Sequence, residues 1–531
     1  MRQHSTIHFK DTGYFSKLMC DYLDQNEKVN AYYNNFPNIV GFRAQIKEKG
    51  GSFSKDNRIV LHSCLIEQYK GVKLSELTSD NLELLKNENT FTITTGHQLN
   101  LFTGPLYFLY KIISVINLTR RLKSEFPENN FVPVYWMATE DHDFEEIKYF
   151  NYKGKKIKWD REPGGAVGKL STEGLDAVYD LIEENFGKGS NAKRLKNLFR
   201  EAYLEQKTLT EATRYLANEL FAAYGLVIVD GDDPGLKNLF VPFIEKELLE
   251  NNCFNTVSKT NESLSLNYPI QVNPREINLF YLDEGLRERI LIENDEFHIN
   301  NTDLVFKKEV FLKMVREHPE KFSPNVLMRP LYQEVILPNL CYIGGGGEMA
   351  YWMQLKGCFN EVEVPFPILL LRNSVLLLDS KYERKMDILG IELYEIFLDQ
   401  NQLIKNKVKQ ISDIEIDFSK EKKVLNQMFI ELKALSDKTD KSFSGAVLAQ
   451  EKKQLNGLEK LEKRLLKAQK RKYAEIVDRI AGLKEQLFPK SNLQEREANF
   501  SEFYELYGDD LIPLLADCLD PLGLEFDVIR P

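Results

Sequence analysis

The pattern of apolar and polar residues divides the chain into two regions. Between residues 91 and 379, short apolar runs of strand length alternate with longer segments whose apolar residues recur at helical spacing. After residue 380, glycine and proline become sparse, and lysine, glutamate, glutamine and leucine dominate. The pattern therefore predicts an α/β region followed by a long helical region.

The clearest unit of the α/β region is a strand, a glycine loop and a helix. The β-rich run that starts at Phe91 ends at Gly96, and PLYFLYKIISVINLTRRLKSEF (105–126) carries apolar residues at helical spacing. The next apolar run, FVPVYWMA (131–138), predicts a second buried strand. Because a helix connects two apolar strands, this is the parallel βαβ pattern.

The elements that follow predict a parallel sheet interrupted by insertions. Apolar strands come at 225–230 and within 341–379, with a polar hairpin, three helices and antiparallel strands between the two halves of the sheet, and the first ninety residues show helix and loop. We predict these parts: an α/β core over 1–379, with halves at about 91–150 and 225–379 and insertions at about 150–224 and 236–330, a helical coiled-coil domain over 380–495, and a tail over 496–531 that docks on the core.

Apolar seams in the helical region predict a coiled coil. Apolar residues recur there at the three- and four-residue spacing of heptads, at Leu425, Met428, Leu432, Leu435, Leu448, Leu455, Leu458, Leu465, Ile476, Ile480, Leu483 and Leu487. The segment SDKTDKSFSG (436–445) is the break, so we expect an antiparallel hairpin of two unequal helices that forms a homodimer through its apolar face. Residues 449–472 hold nine Lys/Arg against three Glu, which indicates a solvated flank or, alternatively, an arm that binds nucleic acid or a partner protein.

Composition narrows the classes of function. The 531 residues have a net charge of -10, which argues against nucleic acid as the main partner because such proteins carry a basic surface. The first ten residues contain no apolar run, and Arg372 and Asn373 break the longest apolar stretch, so we predict no signal peptide and no membrane helix. Six scattered cysteines without a CxxC pair predict reduced thiols and a cytoplasmic protein.

The first candidate site follows the first predicted strand. Gly96 turns the backbone, His97 and Gln98 come next, and a helix starts beyond Thr103 and Gly104. Phosphates bind at such strand ends and helix N-termini in open α/β sheets. A protonated or hydrogen-bond-donating imidazole there would stabilise charge on a phosphate. The alternative is an ordinary strand-to-helix turn with a partly buried histidine.

The second candidate site is an acidic cluster, Glu140-Asp141-His142-Asp143, directly after the second strand. Crowded carboxylates have perturbed pKa values and suit acid–base chemistry or the binding of an amine. The alternative is an acidic helix start, which the helix dipole favours. His97 and His142 both lie in strand-end loops, so a site that binds Mg²⁺ or Zn²⁺ transiently is a further hypothesis.

The third candidate site is a glycine run, Gly344, Gly345, Gly346 and Gly347, with Glu348 at the following helix start. Glycines allow a ligand to approach the backbone closely. Weaker candidates are strand-end carboxylates and anion-binding arginines, namely Asp230, Asp232, Asp233, Arg287, Arg289 and Arg329.

Four motifs together resemble one family, and they are TGHQLNLFTGPLYFLYK, PVYWMATEDHDFEE, SPNVLMRPLYQE and YIGGGGEMAYWMQLK. They look like the BshC family, the proposed cysteine ligases of bacillithiol biosynthesis, over nearly the whole chain. The resemblance implies a Rossmann-like core related to class I aminoacyl-tRNA synthetases, with connecting-peptide insertions and a C-terminal coiled coil that dimerises. Those synthetases carry HxGH where this chain has Gly96-His97-Gln98, and no KMSKS-like loop is present.

The reaction implied by the resemblance joins cysteine to glucosaminyl-malate, with ATP as the cosubstrate that activates cysteine as an adenylate and with Mg²⁺ left open. In this hypothesis Asp141 or Asp143 holds the cysteine ammonium group or deprotonates the attacking amine, and Arg329 or Lys111 meets the malate carboxylates. We expect these groups of residues: catalytic His97, Asp141, His142 and Asp143; nucleotide-binding Gly96, Gln98, Thr103, Gly104, Gly344, Gly345, Gly346, Gly347 and Glu348; substrate-binding Glu140, Lys111, Arg329 and Tyr351; and no metal ligands.

Two other functions stay open. A non-catalytic nucleotide sensor or scaffold would act through the coiled coil, although a scaffold has no need of crowded carboxylates. A relative that binds tRNA or another nucleic acid would use the basic hairpin, although the acidic net charge argues against it.

Overall fold

The computed structural model describes residues 3–162 and 164–531, and the chain folds as two units. The first unit consists of the residues up to Lys10 together with Tyr14–Leu377 and Gln494–Pro531. The second unit consists of Asp11–Gly13 and Leu378–Leu493.

The strands, all of which belong to the first unit, are β1 (Gln3–Ile7), β2 (Thr90–His97), β3 (Asn130–Met137), β4 (Tyr149–Tyr152), β5 (Lys155–Lys158), β6 (Val227–Asp230), β7 (Leu279–Asp283), β8 (Leu286–Glu293), β9 (Glu296–Ile299), β10 (Val305–Lys307), β11 (Phe322–Pro324), β12 (Asn339–Gly344), β13 (Ile368–Leu371), β14 (Val375–Leu377) and β15 (Phe526–Arg530).

The α-helices are α1 (Phe9–Thr12), α2 (Lys17–Leu23), α3 (Ile39–Ser52), α4 (Lys55–Gln68), α5 (Glu76–Leu84), α6 (Tyr107–Glu125), α7 (Phe144–Ile147), α8 (Leu175–Asn185), α9 (Ser190–Tyr203), α10 (Leu209–Phe221), α11 (Pro234–Glu250), α12 (Asn252–Ser265), α13 (Lys308–Glu317), α14 (Arg329–Ile336), α15 (Gly346–Met353), α16 (Lys356–Glu361), α17 (Ser380–Leu389), α18 (Gln400–Ile411), α19 (Ser419–Ser436), α20 (Lys441–Lys472), α21 (Ala474–Leu487), α22 (Gln494–Glu497), α23 (Phe500–Tyr507) and α24 (Leu511–Cys518). Among the described residues, none of these helices has both the length and the apolar character that a bilayer crossing needs.

The centre of the first unit is a parallel sheet with strand order β13–β12–β2–β3–β6. β2 is buried along its whole length, and α6 connects it to β3. Apolar residues of β2, α6, β12 and β13, among them Ile93, Val115, Ile343 and Leu370, form one fully buried cluster. Burial of each such side chain contributes roughly 1.5–3 kcal/mol. The predicted Rossmann-like α/β core is confirmed, and this packing brings the carboxyl ends of β2, β3 and β12 to one edge.

Two strands differ from the prediction. β1 lies in the first ninety residues, where helix and loop were expected, and it pairs antiparallel with β15. β14 pairs with β15 and leaves the central sheet after β13. The polar QHSTI sequence of β1 has no apolar alternation, so its pairing depends on a partner more than 500 residues away, which a local pattern does not reveal.

The predicted insertions hold the remaining sheets of the first unit. β4 and β5 form the expected polar hairpin, and α8, α9 and α10 follow it. β7, β8 and β9 are antiparallel, as expected, and belong to a sheet with the order β10–β9–β8–β7–β11.

In the second unit, α19 and α20 form the antiparallel hairpin. Ion pairs between Lys422 and Glu462 and between Lys433 and Glu451 fix their antiparallel register. The predicted seam is wrong by one position at several places: Phe429 and Val447 are buried, whereas Met428, Leu435 and Leu448 are about half exposed. Apolar residues spaced three and four apart occur on two neighbouring faces of the same helix, so the spacing alone does not tell which face is buried. In α19 the buried face is the one that contains the large Phe429 ring.

Candidate active site

A cavity of about 390 Å³ opens at the carboxyl ends of the central strands. β2 lies between β3 on one side and β12 on the other, which makes it the point where the strand order reverses. Ligands bind at such points in open α/β sheets. The cavity brings together predicted residues from all three constellations and their neighbours, namely Gly96, His97, Gln98, Lys111, Asp141, Arg329, Gly345, Gly347, Glu348 and Tyr351.

Glu348 is held in the cavity by three donors. Its carboxylate accepts from the Nζ of Lys111 at 2.7 Å, the hydroxyl of Tyr342 at 2.7 Å and the backbone N–H of Gly345 at 2.8 Å. Burial alone would raise the pKa of Glu348, but the charge of Lys111 and the bond from Gly345 hold that pKa below its ordinary value. Lys111 also donates to the carbonyl oxygen of Gly96 at 2.7 Å. The lysine predicted to bind substrate therefore ties the glycine loop to the end of β2.

Arg329 and Arg372 line this region, and each has one donor nitrogen without a partner among the described residues. Arg329 donates through Nη1 to Gln333 at 3.0 Å, while its Nη2 is shielded from solvent and has no hydrogen-bond partner among the described residues. Arg372 pairs through Nη2 with Glu495 at 2.7 Å. The Nε of Arg372 is also shielded from solvent and has no hydrogen-bond partner among the described residues. A buried donor without an acceptor costs about 1–3 kcal/mol. Both arginines line the cavity, so the cavity is prepared for an anion.

Seven residues of the cavity wall were missed by the sequence prediction, and they are Tyr107, Trp136, Ala138, Val326, Tyr342, Arg372 and Arg496. Arg372 was visible only as a break in an apolar run. A buried arginine in such a run is itself a signal, because a charge is rarely buried unless it is paired or functional. Arg496 lies far along the chain from all the other wall residues, so no local motif marks it.

Asp141 of the acidic cluster is held in its ionised form. Its carboxylate accepts from the Nε2 of Gln98 at 2.9 Å and from the backbone N–H of His142 at 2.7 Å. Burial alone would raise the pKa of Asp141, but the hydrogen bonds from His142 and Gln98 outweigh it and hold that pKa well below its usual range. Asp141 therefore presents a negative charge to the cavity at every pH near neutrality.

The other members of the cluster have different surroundings. Glu140 is buried beside Lys237, whose Nζ lies 2.8 Å from its carboxylate. His142 is exposed, and its Nδ1 accepts from the Nη1 of Arg287 at 2.8 Å. Asp143 accepts from the backbone N–H of Glu146 at 3.3 Å and caps α7, so the alternative of an acidic helix start applies to this residue.

His97 is buried at the end of β2. Its Nε2 lies 3.3 Å from the carbonyl oxygen of Thr103, and the rings of Tyr107 and Phe108 flank the imidazole. Burial, reinforced by the charge of Lys111, lowers the pKa of His97 to about 3. The imidazole is therefore neutral near pH 7, and of the two roles considered for it only the hydrogen-bonding one is available.

The remaining predicted glycine-loop residues divide between the cavity and the protein interior. Gly345 and Gly347 line the cavity, whereas a β-carbon on Gly346 would lie 3.2 Å from Met19 and one on Gly344 would lie 2.9 Å from Met349. Gly344 and Gly346 are therefore closely packed against methionine side chains.

Thr103 and Gly104 do not line the main cavity. The carbonyl oxygen of Gly104 accepts from Asn499 at 2.6 Å, and Gly104 has a φ of 65°, which favours glycine. These two residues shape the turn into α6. Within residues 3–162 and 164–531, no group of three or more His, Cys, Asp and Glu side chains is arranged to hold a metal ion.

Comparisons with known proteins cover nearly the whole chain. Residues 1–373 match the family "Bacillithiol biosynthesis BshC, N-terminal Rossmann-like domain", and residues 375–531 match "Bacillithiol biosynthesis BshC, C-terminal coiled-coil domain". A Flavobacterium johnsoniae protein named "Putative cysteine ligase BshC" is 54% identical over 98% of this chain and 99% of its own length. A Cytophaga hutchinsonii protein of the same name is 38% identical over 97% of this chain and 96% of its own length.

A solved structure from Campylobacter jejuni, titled as a "putative arginyl t-RNA synthetase", covers 84% of this chain and 97% of its own, with a TM-score of 0.22 and 10% identity. That likeness is too weak to support a conclusion. The two family matches and the full-length relatives are sufficient by themselves, and they show that the chain belongs to the BshC family of bacillithiol biosynthesis.

Proposed function

We propose that the chain joins the carboxyl group of cysteine to the amine of glucosaminyl-malate, forming the amide bond of bacillithiol at the expense of ATP. The observation that carries the proposal is the cavity at the sheet edge, where unpaired donors of Arg329 and Arg372 lie with the ionised carboxylate of Asp141. Guanidinium groups bind carboxylates and phosphates, and a carboxylate binds an ammonium group. All the proposed substrates carry such groups.

The proposed chemistry has two steps, because amide formation from a free carboxylate is uphill in water. A carboxylate oxygen of cysteine attacks the α-phosphorus of ATP, and pyrophosphate leaves. The amine nitrogen of the acceptor then attacks the acyl carbon and loses a proton, and AMP leaves. Negative charge collects on phosphate oxygens in both steps, so the site must supply fixed donors.

We assign that stabilisation to the arginines and to the start of α15. The first N–H groups of a helix have no acceptor within the helix, and the dipole favours an anion there. Gly347 lies in this first turn and lines the cavity. His97, neutral because its pKa is about 3, contributes at most a hydrogen bond.

Asp141 is assigned to the ammonium group of a substrate. A general base works best when its pKa lies near the working pH, and the pKa of Asp141 lies far below. Of the two roles in the hypothesis, binding an ammonium group therefore fits better than taking a proton. Because Lys111 is engaged by Glu348 and Gly96, the malate carboxylates and the phosphates are assigned to the arginines.

Two further parts of the proposal concern the assembly and the compartment. We propose that two copies pair through the apolar residues left exposed on the α19–α20 hairpin, among them Val424, Met428, Leu435 and Leu448. Light scattering on the Met428→Glu/Leu435→Glu double variant tests this, and a mass equal to that of the wild type would contradict it. The six cysteines, which form no disulfide bonds with one another, support a reducing cytoplasm as the compartment.

The test of the function uses the purified full-length chain with cysteine, glucosaminyl-malate, ATP and Mg²⁺. Mass spectrometry measures bacillithiol, and chromatography measures AMP and ADP. Bacillithiol with an equal amount of AMP would support the proposal, whereas ADP would replace the adenylate with an acyl phosphate. Nucleotide binding without any product would favour the sensor or scaffold.

A further inference from the structure

A smaller cavity of about 150 Å³ lies beside the main one. The two cavities have Trp136, Ala138, Asp141, Val326 and Arg329 in common as wall residues. A ligand in the smaller cavity would therefore lie against the same wall as a ligand in the main one.

Arg287 is the distinctive residue of the smaller cavity. Its guanidinium carbon lies 3.8 Å from the centre of the Phe280 ring, and its Nη1 donates to the Nδ1 of His142 at 2.8 Å. Its Nε is shielded from solvent and has no hydrogen-bond partner among the described residues. A guanidinium group has only donors, so the Nδ1 of His142 must be the acceptor and His142 positions the arginine.

The polar groups around this cavity carry opposite charges. Arg287 and Arg329 each have a shielded nitrogen without a partner among the described residues, and Asp141 supplies a carboxylate. Glu140 also lines this cavity, and its carboxylate pairs with Lys237 at 2.8 Å, which in turn pairs with Asp232 at 2.6 Å. The cavity therefore offers donors for an anion and an acceptor for a cation, which is the complement of a zwitterion.

We propose that the smaller cavity is the subsite for the α-amino acid substrate, with its ammonium group on Asp141, its carboxylate between Arg287 and Arg329, and its side chain against Met137 and Pro324. The volume suits a small amino acid and excludes a nucleotide. Because Arg329 also lines the main cavity, the carboxylate lies on the side where its activation is proposed. The identification of the amino acid as cysteine rests on the proposed function.

A ligand series tests the subsite by calorimetry on the full-length chain, with and without α,β-methylene-ATP, which blocks adenylate formation. The ligands are L-cysteine, cysteamine (no carboxylate), 3-mercaptopropionate (no ammonium group) and L-malate. The variant Arg287→Lys keeps the charge but removes the Nε–H donor. Arg289→Lys, an exposed arginine of the same strand, is the matched control.

Arg287→Lys is expected to weaken the binding of L-cysteine and of 3-mercaptopropionate about tenfold. The affinity for cysteamine should stay within about twofold of the wild type, because only the carboxylate contact is lost. Asp141→Asn is expected to weaken the binding of L-cysteine and of cysteamine and to leave the binding of 3-mercaptopropionate unchanged. Arg289→Lys is expected to change none of these three affinities.

Three results would contradict the proposed subsite. They are an equal loss of affinity for cysteine and cysteamine in Arg287→Lys, a loss of affinity for L-malate alone in that variant, or no binding of cysteine to the wild-type chain. Turnover by the wild type is measured separately. Its absence, with cysteine still bound in the predicted pattern, would contradict the proposed function and leave the amino-acid subsite standing.

Discussion

Arg372 and Glu495 form a buried ion pair in which Nη2 lies 2.7 Å from Oε1. Arg372 follows β13, and Glu495 belongs to α22, which follows the second unit in the sequence. The next residue, Arg496, lines the main cavity. The C-terminal part of the first unit therefore supplies one arginine of the site and fixes another.

Glu495→Gln is expected to destabilise the chain and to raise the KM for an anionic substrate. Removing one partner of a buried ion pair costs about 3–5 kcal/mol, and a loosened Arg372 loses its orientation toward the cavity. Thermal unfolding and steady-state kinetics measure the two effects.

Glu247→Gln is the control for that variant, because Glu247 is a buried carboxylate that accepts from Asn278 and is not part of the cavity wall. It should lower the unfolding temperature without raising KM. An equal rise in KM in both variants would mean that Glu495 acts only through stability.

Arg496→Ala is expected to raise the KM for an anionic substrate about tenfold and to leave stability nearly unchanged, because this side chain is exposed at the cavity wall. The effect should shrink as salt is added, since exposed charges are screened. Kinetics at two salt concentrations measure it, with the exposed Arg464→Ala of α20 as the control. Equal kinetics for the two variants would remove Arg496 from the site.

Asp141→Asn is expected to lower kcat/KM for cysteine by about 10- to 100-fold, the usual range for losing a hydrogen bond to a charged group. Asp143→Asn should stay within about twofold, because asparagine caps a helix as well as aspartate does. Kinetics of both variants measure the contrast. Equal losses would show that the cluster acts as a whole.

The pH dependence of Asp141 has a definite sign. The folded pKa of Asp141 lies below the ordinary value of 3.8. The contribution of its charge to folding stability is therefore complete above about pH 4, and it is lost only as the pH falls through the lower folded pKa. The wild-type rate profile between about pH 5 and pH 9 should therefore contain no inflection that Asp141→Asn removes. Such an inflection would contradict the ionised state.

His97 is expected to make the chain less stable in mild acid. The folded pKa of about 3 lies below the ordinary 6.5, so the unfolded chain binds the proton first and stability falls as the pH drops below about 6.5. Between about pH 7.5 and pH 5.5 this residue should account for about 1.4 kcal/mol. Urea unfolding at both pH values should show that loss reduced in His97→Gln. An identical loss in the variant would contradict the buried neutral imidazole.

Local sequence patterns were enough to predict the core of the fold. The strand that ends at Gly96, the helix after it and the strand before Glu140 have strong apolar patterns, and the structure confirms their parallel arrangement. The family and the ligase class, predicted from four motifs, are confirmed by the relatives. β1 was missed because its pairing with β15 depends on contacts across almost the entire chain.

Residue roles were harder to predict, because a motif identifies a position and not its partners. Lys111 lines the cavity, as a substrate-binding residue would, and no motif reveals that it pairs with Glu348. Asp143 belongs to the same acidic motif as Asp141 but caps a helix. Arg496 carries no motif at all, and only folding brings it to the cavity wall.

The most direct test of the proposed chemistry follows an oxygen atom. Cysteine labelled with ¹⁸O in its carboxyl group is converted by the full-length chain in the presence of ATP, Mg²⁺ and glucosaminyl-malate, and the released nucleotide is examined by mass spectrometry. Activation as an adenylate predicts one ¹⁸O atom in the phosphate of AMP. Label in inorganic phosphate, with ADP as the nucleotide product, would contradict the adenylate and with it the assigned chemistry of the cavity.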